Sequence, residues 1–241
     1  MYGDYELLSK HFEVAEWFTD VFGTFDFKIL EFYNTLHETG IIGKILDVFF
    51  TVYTHLGDEG IIFILLGLIF LFFRKTRKSG FGMLFGMLFG LFFTNIFLKE
   101  LIERPRPFIL LECLPDNESA IQFREWWIEM GEVEASFLRS FPSGHTTSAF
   151  AAMVPLFLIE NKKYSWTALI AALLMGASRN YVMVHYPSDV LGGIIIGAIA
   201  GILGLIVINL LYKKVFVKDN KFCTAIREGD LIETIRNKKK A

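Results

Sequence analysis

Two stretches of this chain are long and apolar enough to cross a lipid bilayer and contain no charged residue. They are residues 81–98 and 190–212, and a helix of this composition is stable in hydrocarbon. Three further apolar runs, at residues 60–73, 146–159 and 166–184, reach a similar length with their flanks. We therefore expect an all-α fold, a polytopic integral membrane bundle of five to six transmembrane helices. The composition agrees, since 53% of the 241 residues are hydrophobic, more than in ordinary globular proteins.

Basic residues between the apolar runs predict the orientation of the bundle. They occur at residues 74–78, at residues 161–163 and at Lys213 and Lys214, and cytoplasmic loops collect such residues. By alternation, residues 103–141 and the region around His185 are expected on the non-cytoplasmic face. The first forty residues are acidic and lack the basic and apolar regions of a cleavable signal peptide, so we expect none. This orientation separates the two cysteines, Cys113 and Cys223, and predicts no disulfide.

The sequence divides into three predicted regions. Residues 1–40 form an acidic, amphipathic N-terminal segment, residues 41–212 a membrane domain with an outer loop at 103–141, and residues 213–241 a basic cytoplasmic tail. The stretch from Ile41 to Leu56 is ambiguous, because Lys44, Asp47, Thr51 and Thr54 form a polar stripe at helical spacing. It is either a sixth span or a helix at the membrane surface, and the stripe favours the surface helix.

Glycines recur at intervals of four residues in two of the predicted spans. The first set is Gly82, Gly86 and Gly90, and the second is Gly193, Gly197 and Gly201. Small residues at this spacing let helix backbones approach closely in lipid. We interpret both sets as packing seams between helices, not as ligand sites.

Three cations lie at the predicted outer ends of the spans. Lys99 and Arg106 follow one span, and Arg179 precedes the last. A single such cation is usually only an anchor at the membrane surface, but three brought together favour an anion, and guanidinium groups suit phosphate. Arg104 and Pro105 repeat the Arg-Pro pair of residues 106 and 107, so the choice of Arg106 depends on spacing alone.

Two further motifs lie on the same predicted face. In "FPSGH", Ser143 is a good N-cap, Gly144 permits close backbone approach, and the helix that follows begins with unpaired N–H groups that can hold an anion. His145 is beside them. His185 and Asp189 are four residues apart, so the carboxylate can fix the imidazole tautomer and leave the other nitrogen nucleophilic. The same pair could instead bind a metal ion, although the nearby cations would repel one.

These residues carry a family resemblance. Lys99, Arg106 and Pro107 fit the pattern KxxxxxxRP, residues 142–145 read PSGH, and Ser178, Arg179, His185 and Asp189 fit SRxxxxxHxxxD. The chain thus resembles the type 2 phosphatidic acid phosphatase family. The three motifs span residues 99–189, and the apolar pattern extends the likeness to about residues 41–212. The family core usually has six helices, so the ambiguous first span is a departure from it.

The resemblance implies a lipid phosphatase that needs no metal and no cofactor. His185 is then the nucleophile that forms a phosphohistidine, Asp189 its orienting residue and His145 the general acid. The phosphate-binding residues implied are Lys99, Arg106, Ser143, Gly144 and Arg179. The implied partners are the bilayer and a lipid phosphate or diphosphate: a polyprenyl diphosphate, phosphatidylglycerol phosphate or phosphatidic acid. No nucleic acid partner is indicated, and the expected location is the cell membrane.

Two alternatives remain at this point. Vanadate-dependent haloperoxidases share the three motifs but are soluble, which the predicted spans contradict. A non-enzymatic transporter would place charged residues in the middle of its spans, whereas these charges lie at one surface.

Overall fold

The computed structural model describes residues 5–102, 104–107, 122, 125 and 139–238, and for residues 5–15 the backbone alone. These residues form helices and connecting turns, with no β-strand among them. Most of the predicted outer loop, with Cys113, lies outside the described residues. The helices are α1 (Tyr5–His37), α2 (Ile41–His55), α3 (Ile61–Leu71), α4 (Arg77–Leu91), α5 (Gly144–Ile159), α6 (Lys162–Tyr181), α7 (Pro187–Lys214), α8 (Lys221–Glu228) and α9 (Leu231–Lys238). α4 continues through wider π-helical turns, Phe92–Leu98, into a last turn, Lys99–Ile102.

Each of the five apolar runs forms a helix, which confirms the all-α prediction. Among the described residues, two helices are long and apolar enough to cross a membrane, Arg77–Ile102 and Pro187–Lys214. A third span results if α2 and α3, which meet at a 50° bend, are taken together. α5 is apolar but shorter, and α6 ends in Ser178, Arg179 and Asn180, which lower its hydropathy.

The glycine sets are packing seams, as predicted. A Cβ on Gly86 would lie 2.4 Å from the carbonyl oxygen of Ala151 in α5, and one on Gly197 would lie 2.6 Å from that of Thr147. A Cβ on Gly204 would lie 2.5 Å from the backbone of Gly82. The backbones of α4, α5 and α7 therefore touch along these faces, and this three-helix contact is the centre of the bundle.

Two residues of the polar stripe of α2, Asp47 and Thr54, contact the rest of the bundle, whereas Lys44 is exposed. Asp47 accepts a hydrogen bond from the Tyr181 hydroxyl (2.7 Å), and Thr54 accepts one from Arg179 (2.6 Å). The apolar side of α2 is the exposed one, with Ile45 63% exposed. The two faces of α2 are thus not divided as in a simple surface helix, because Asp47 and Thr54 meet polar groups of α6 while several apolar residues, Ile45 among them, face outward.

The two ends of the bundle differ in chemistry. At one end lie the last turn of α4, the start of α5, the end of α6 and the start of α7, with α1 packed beside them. At the opposite end, the buried Arg77 donates hydrogen bonds to the carbonyl oxygens of Leu71, Ile226 and Gly229. This arginine fastens the tail helix α8 to the turn between α3 and α4.

Candidate functional site

A cavity of about 220 Å³ opens at the first end of the bundle, and residues from sequence-distant helices line it. Most of the residues predicted from the motifs meet there: Lys99, Arg106, Gly144, His145, Arg179 and His185. The elements explain this convergence, because Lys99 lies in the last turn of α4, His145 in the first turn of α5, Arg179 in the last turn of α6 and His185 just before α7. Thr94 and Asn95, from the π-helical turns, also line the cavity.

The structure distinguishes the two Arg-Pro pairs. Arg106 lines the cavity, whereas Arg104 points to the other side of the site and forms ion pairs with Asp26 (2.9 Å) and Asp189 (2.6 Å). Both arginines are buried. Sequence spacing therefore selected Arg106, the arginine that faces the cavity, whereas Arg104 is surrounded by carboxylates.

The predicted N-cap is present at the start of α5. The Ser143 hydroxyl accepts hydrogen bonds from the Thr146 N–H (3.5 Å) and the Thr146 hydroxyl (3.0 Å). Ser143 is fully buried and lies behind the cavity, whereas Gly144 forms part of its wall. A Cβ on Gly144 would lie 3.7 Å from Asn95 Oδ1 and equally far from Lys99 Nζ. Gly144 thus leaves open the space in front of the lysine ammonium group.

His185 and Asp189 are close, but a serine hydroxyl lies between them. The distance from His185 Nδ1 to Asp189 Oδ2 is 3.6 Å, too long for a hydrogen bond. Ser140 Oγ lies 3.3 Å from His185 Nδ1 and donates to Asp189 Oδ2 at 2.5 Å. Since the Ser140 proton goes to the carboxylate, its oxygen accepts from Nδ1–H of the imidazole. Nε2 is then left with the lone pair, so the tautomer inferred from the sequence arises through a serine.

His145 has a carboxylate partner that the motifs did not indicate. Its Nε2 lies 2.9 Å from Asp58 Oδ1, and Asp58 Oδ2 lies 2.8 Å from His55 Nδ1. Asp58 belongs to the turn between α2 and α3, where Glu59 has a positive φ of 50° and Gly60 one of 66°. This tight turn aims Asp58 at the ring of His145. Gly57 lies so close that a Cβ there would be 2.5 Å from the same ring.

The environment of His185 favours the neutral imidazole. Burial, and then the positive charges of Arg106, Arg179 and Lys99, lower the pKa of His185 well below its ordinary value. A neutral imidazole with a fixed tautomer has the lone pair that a nucleophile needs. The three cations would equally attract an anion into the cavity.

Four polar residues of the site lay outside the motif predictions: Asp26, Asp58, Arg104 and Ser140. Arg104 had a sequence signal, the repeated Arg-Pro pair, and Ser140 immediately precedes the FPSGH motif. Asp26 and Asp58 come from helices and turns far away in the sequence. Among the residues that the structure describes, no group of three His, Cys, Asp or Glu side chains is placed to hold a metal ion.

Comparison with known proteins gives a consistent result. Residues 79–213 match the sequence profile of the PAP2 superfamily. Phosphatidylglycerophosphatase B of Bacillus subtilis is 33% identical over 166 residues, which cover 63% of this chain and 70% of the relative. Undecaprenyl-diphosphatase BcrC of the same species is 47% identical over 64 residues, but the match spans 27% of this chain and only 33% of that relative's length.

A solved structure resembles the whole bundle. It is a transmembrane PAP2 type phosphatidylglycerolphosphate phosphatase from Bacillus subtilis, with a TM-score of 0.55 and 25% sequence identity. The superposition covers 89% of this chain and 98% of the solved one. The matched sequence range contains all three motifs and the helices that carry them, and the chain therefore belongs to the PAP2 superfamily.

Proposed function

We propose that this protein is a membrane phosphatase that hydrolyses a phosphomonoester or diphosphate of a lipid through a phosphohistidine on His185. The observation that carries the proposal is the meeting of three cations with two histidines around one small cavity. Lys99, Arg106 and Arg179 would bind the phosphate oxygens, and the backbone at Gly144 would close the cavity beside them. Membership of the PAP2 superfamily supports the same chemistry.

In the first step, His185 Nε2 attacks phosphorus, the bond between phosphorus and the leaving oxygen breaks, and protonated His145 gives that oxygen a proton. His145 Nε2 is held by Asp58 (2.9 Å), so the transferred proton comes from Nδ1. The three cations neutralise the negative charge on the phosphoryl oxygens in the transition state, which is the largest electrostatic contribution expected at such a site. The imidazole of His185 becomes positively charged, next to the carboxylate of Asp189.

In the second step, a water molecule attacks the phosphohistidine. His145, now neutral, takes a proton from that water, the bond between phosphorus and Nε2 breaks, and inorganic phosphate leaves. This step returns both histidines to their starting protonation states. Three cations already supply the charge neutralisation that a divalent ion provides in other phosphatases, so we propose that hydrolysis needs no metal or cofactor.

We further propose that the protein is a multi-pass protein of the cell membrane, with its site on the non-cytoplasmic face. The basic turns at residues 74–78 and 161–163 lie at the end of the bundle opposite the cavity. Cytoplasmic loops are enriched in Lys and Arg, which supports placing that end in the cytoplasm. Counting the bent α2–α3 pair as one span and including α5 and α6 gives five crossings. In this arrangement residues 41–212 contain the catalytic domain, α1 lies along the outer face and residues 213–241 are cytoplasmic.

The proposed substrate class is a lipid with a terminal phosphate or diphosphate. The relatives' names supply candidates, undecaprenyl diphosphate and phosphatidylglycerol phosphate, and phosphatidic acid is a third. The charges lie at one end of the bundle and not in the middle of the apolar helices, which favours hydrolysis over transport. The apolar, membrane-length helices favour a lipid substrate over those of the soluble haloperoxidases.

The test is phosphate release by the purified protein in detergent from these three lipids, with and without excess chelator. We expect release from at least one lipid, no effect of chelator, and inhibition by orthovanadate, which resembles the five-coordinate transition state. The variant His185→Ala should lose activity by about 1,000-fold or more, because a covalent nucleophile has no substitute. Acid-labile radiolabelled phosphoenzyme should form with wild type and not with the variant.

Three outcomes would contradict the proposal. One is the absence of phosphate release from every lipid tested. A second is loss of activity in chelator with recovery on adding magnesium or zinc. The third is retention of a tenth or more of wild-type activity in His185→Ala.

A further inference from the structure

The N-terminal helix α1 contributes a buried carboxylate to the surroundings of the site. Asp26 is only 1% exposed, and a carboxylate in such a place is costly unless it is paired and hydrogen-bonded. Its Oδ1 accepts from the Ser188 N–H at 2.8 Å, and its Oδ2 accepts from the Ser188 hydroxyl at 2.6 Å and from Arg104 at 2.9 Å. Both oxygens are therefore committed to the start of α7 and to Arg104.

Arg104 joins this carboxylate to Asp189. Its Nη2 bonds Asp26, and its Nη1 donates to Asp189 Oδ1 (2.6 Å) and to the Ser188 hydroxyl (2.8 Å). The guanidinium lies 4.2 Å from the ring centre of Phe18 and 3.8 Å from that of Tyr186. A planar cation stacked on two rings and bonded at both ends has one orientation. Lysine could not reproduce this geometry.

Asp189 is in turn held at both oxygens. Oδ1 accepts from Arg104, and Oδ2 accepts from the Ser140 hydroxyl (2.5 Å) and the Tyr186 N–H (2.8 Å). Ser140 then meets His185 Nδ1 at 3.3 Å. A continuous chain of buried contacts thus runs from Asp26 through Arg104, Asp189 and Ser140 to the proposed nucleophile. Asp26 lies outside residues 79–213, the range that matches the family profile.

The charges along this chain suit the proposed reaction. Two carboxylates and one guanidinium leave one net negative charge behind His185 Nδ1, and His185 lines the same cavity as the three cations. When Nε2 bonds phosphorus, the imidazole becomes positive, and the negative cluster stabilises it. Loss of either outer member would let the Asp189 carboxylate turn, and with it Ser140 and the imidazole.

We propose that Asp26 and Arg104 are positioning residues, which fix the orientation and tautomer of His185 through Asp189. The expected effect on kcat rests on the proposed phosphatase function. The expected effect on the tautomer of His185 does not depend on it. The competing interpretation is that Asp26 and Arg104 only fasten α1 to the bundle. The two interpretations differ in what happens to kcat and to the His185 ring when the protein remains folded.

The first experiment measures kcat and KM for Asp26→Asn and Arg104→Gln on the lipid that wild type hydrolyses. We expect kcat to fall about 10-fold to 100-fold, since misplacing a reacting group by about 1 Å can cost about 100-fold, with KM within about threefold. The matched control is Asp20→Asn, an exposed position on α1, which should keep wild-type kcat. Thermal unfolding in detergent shows whether each variant is folded.

The second experiment asks whether Arg104 acts through Asp189. In an Asp189→Asn background, Arg104→Gln should change kcat by no more than about twofold, because the group it positions is already altered. A residue that only fastens α1 would reduce activity by the same factor in both backgrounds.

The third experiment needs no activity. In protein carrying ring-¹⁵N-labelled histidine, NMR in detergent micelles reports the tautomer of His185, assigned by comparison with His185→Gln. We expect the Nδ1–H tautomer in wild type and in Asp20→Asn, and a mixture of tautomers in Asp26→Asn and Arg104→Gln. If every lipid is left intact but this pattern appears, the phosphatase proposal fails while the positioning inference stands.

The inference is overturned if folded Asp26→Asn has wild-type kcat and a wild-type His185 spectrum. Asparagine has nearly the same size as aspartate, so Asp26→Asn remains decisive if Arg104→Gln does not fold. In that case Arg104→Lys serves as the second variant. A kcat loss that is equal in the wild-type and Asp189→Asn backgrounds would also overturn it.

Discussion

At the residue scale, the state of His185 depends on opposite influences at its two nitrogens. Burial, and then the positive charges of Arg106, Arg179 and Lys99, lower the pKa of His185 and disfavour a positive imidazole. At Nδ1, the Ser140 hydroxyl, which is itself held by Asp189, favours the opposite. The free enzyme therefore keeps a neutral, nucleophilic imidazole. A bound phosphate neutralises the cations, and this lowers the barrier to the positive imidazole that forms when His185 attacks phosphorus.

This electrostatic balance predicts a pH dependence. Because the pKa of His185 is lowered, the nucleophile stays neutral below its ordinary pKa of about 6.5, and the acid limb of kcat/KM lies at lower pH. In Arg106→Gln one of the cations is absent, so the pKa of His185 rises and the acid limb of kcat/KM moves to higher pH. The quantity to measure is the ratio of variant to wild-type kcat/KM on one lipid, because ionisation of the lipid phosphate affects both enzymes equally and cancels in the ratio.

The control for this measurement is Arg236→Gln, an exposed arginine of the tail, whose ratio to wild type should not vary with pH. For Arg106→Gln the ratio should fall as the pH is lowered. A ratio that is constant, or that rises on the acid side, would contradict the assignment of these cations as the groups that lower the His185 pKa.

The sequence predicted most of the charged residues that line the cavity, but it missed Asp58, which also lines it, and the residues that hold the site from behind. Lys99, Arg106, His145 and His185 belong to spaced motifs, in which each residue type has a recognisable role with phosphate. Asp26 and Asp58 have no such spacing, because their roles arise from contacts between elements far apart in the sequence. A lone aspartate in an amphipathic segment is indistinguishable from a solvent-exposed one until the packing of its helix is known.

At the element scale, both the apolar runs and the amphipathic segment predicted helices, but the amphipathic pattern of α2 did not show which of its faces meets the protein. Every face of an uncharged helix is stable only against apolar surroundings, whether these are lipid or the interior of the bundle. An amphipathic helix can be stable in two kinds of place, because its polar face can meet either water or the polar groups of a neighbouring helix. α2 adopts the second, with Asp47 and Thr54 directed to α6, and this contact places the turn that carries Asp58.

The glycine seam leads to a prediction about α7. In Gly197→Val, the new side chain would overlap the Thr147 carbonyl oxygen, 2.6 Å from an ideal Cβ, and the Phe150 Cβ at 2.7 Å. α5 and α7 would have to separate, with a loss of about 1–3 kcal/mol or more in the free energy of unfolding. The thermal unfolding midpoint in detergent should fall clearly, and activity with it, because Thr147 also lines the cavity.

The control for the seam is Ile199→Phe on the same helix, which enlarges a side chain that is 46% exposed. Its unfolding midpoint should remain close to wild type. Equal midpoints for Gly197→Val and wild type would mean that α5 and α7 do not touch at this glycine.

At the scale of the whole molecule, the bundle separates two kinds of cation. Arg74, Lys75 and Lys162 lie at one end and outside the core, whereas the buried Arg106 and Arg179 surround the cavity at the other. The positive-inside rule concerns the first kind, since exposed basic loops resist translocation. Arg106 and Arg179 are folded into the site and therefore carry no information about which loops face the cytoplasm. The proposed orientation depends on this distinction, because a simple count of basic residues would mix the two groups.

The orientation can be tested with single cysteines introduced after Cys113 and Cys223 are replaced by alanine. Glu38→Cys lies in the exposed turn after α1, at the end of the bundle where His37 contacts Tyr181. Lys162→Cys is the exposed first residue of α6, at the opposite end. In intact cells, a membrane-impermeant maleimide should label Glu38→Cys fully, and it should label Lys162→Cys only after permeabilisation. The opposite pattern would place the cavity on the cytoplasmic face and restrict its substrates to lipids of the inner leaflet. Labelling of both cysteines in intact cells would mean that the chain between them crosses the membrane an even number of times. That result would contradict the proposed topology, in which three crossings, α2–α3, α4 and α5, separate Glu38 from Lys162.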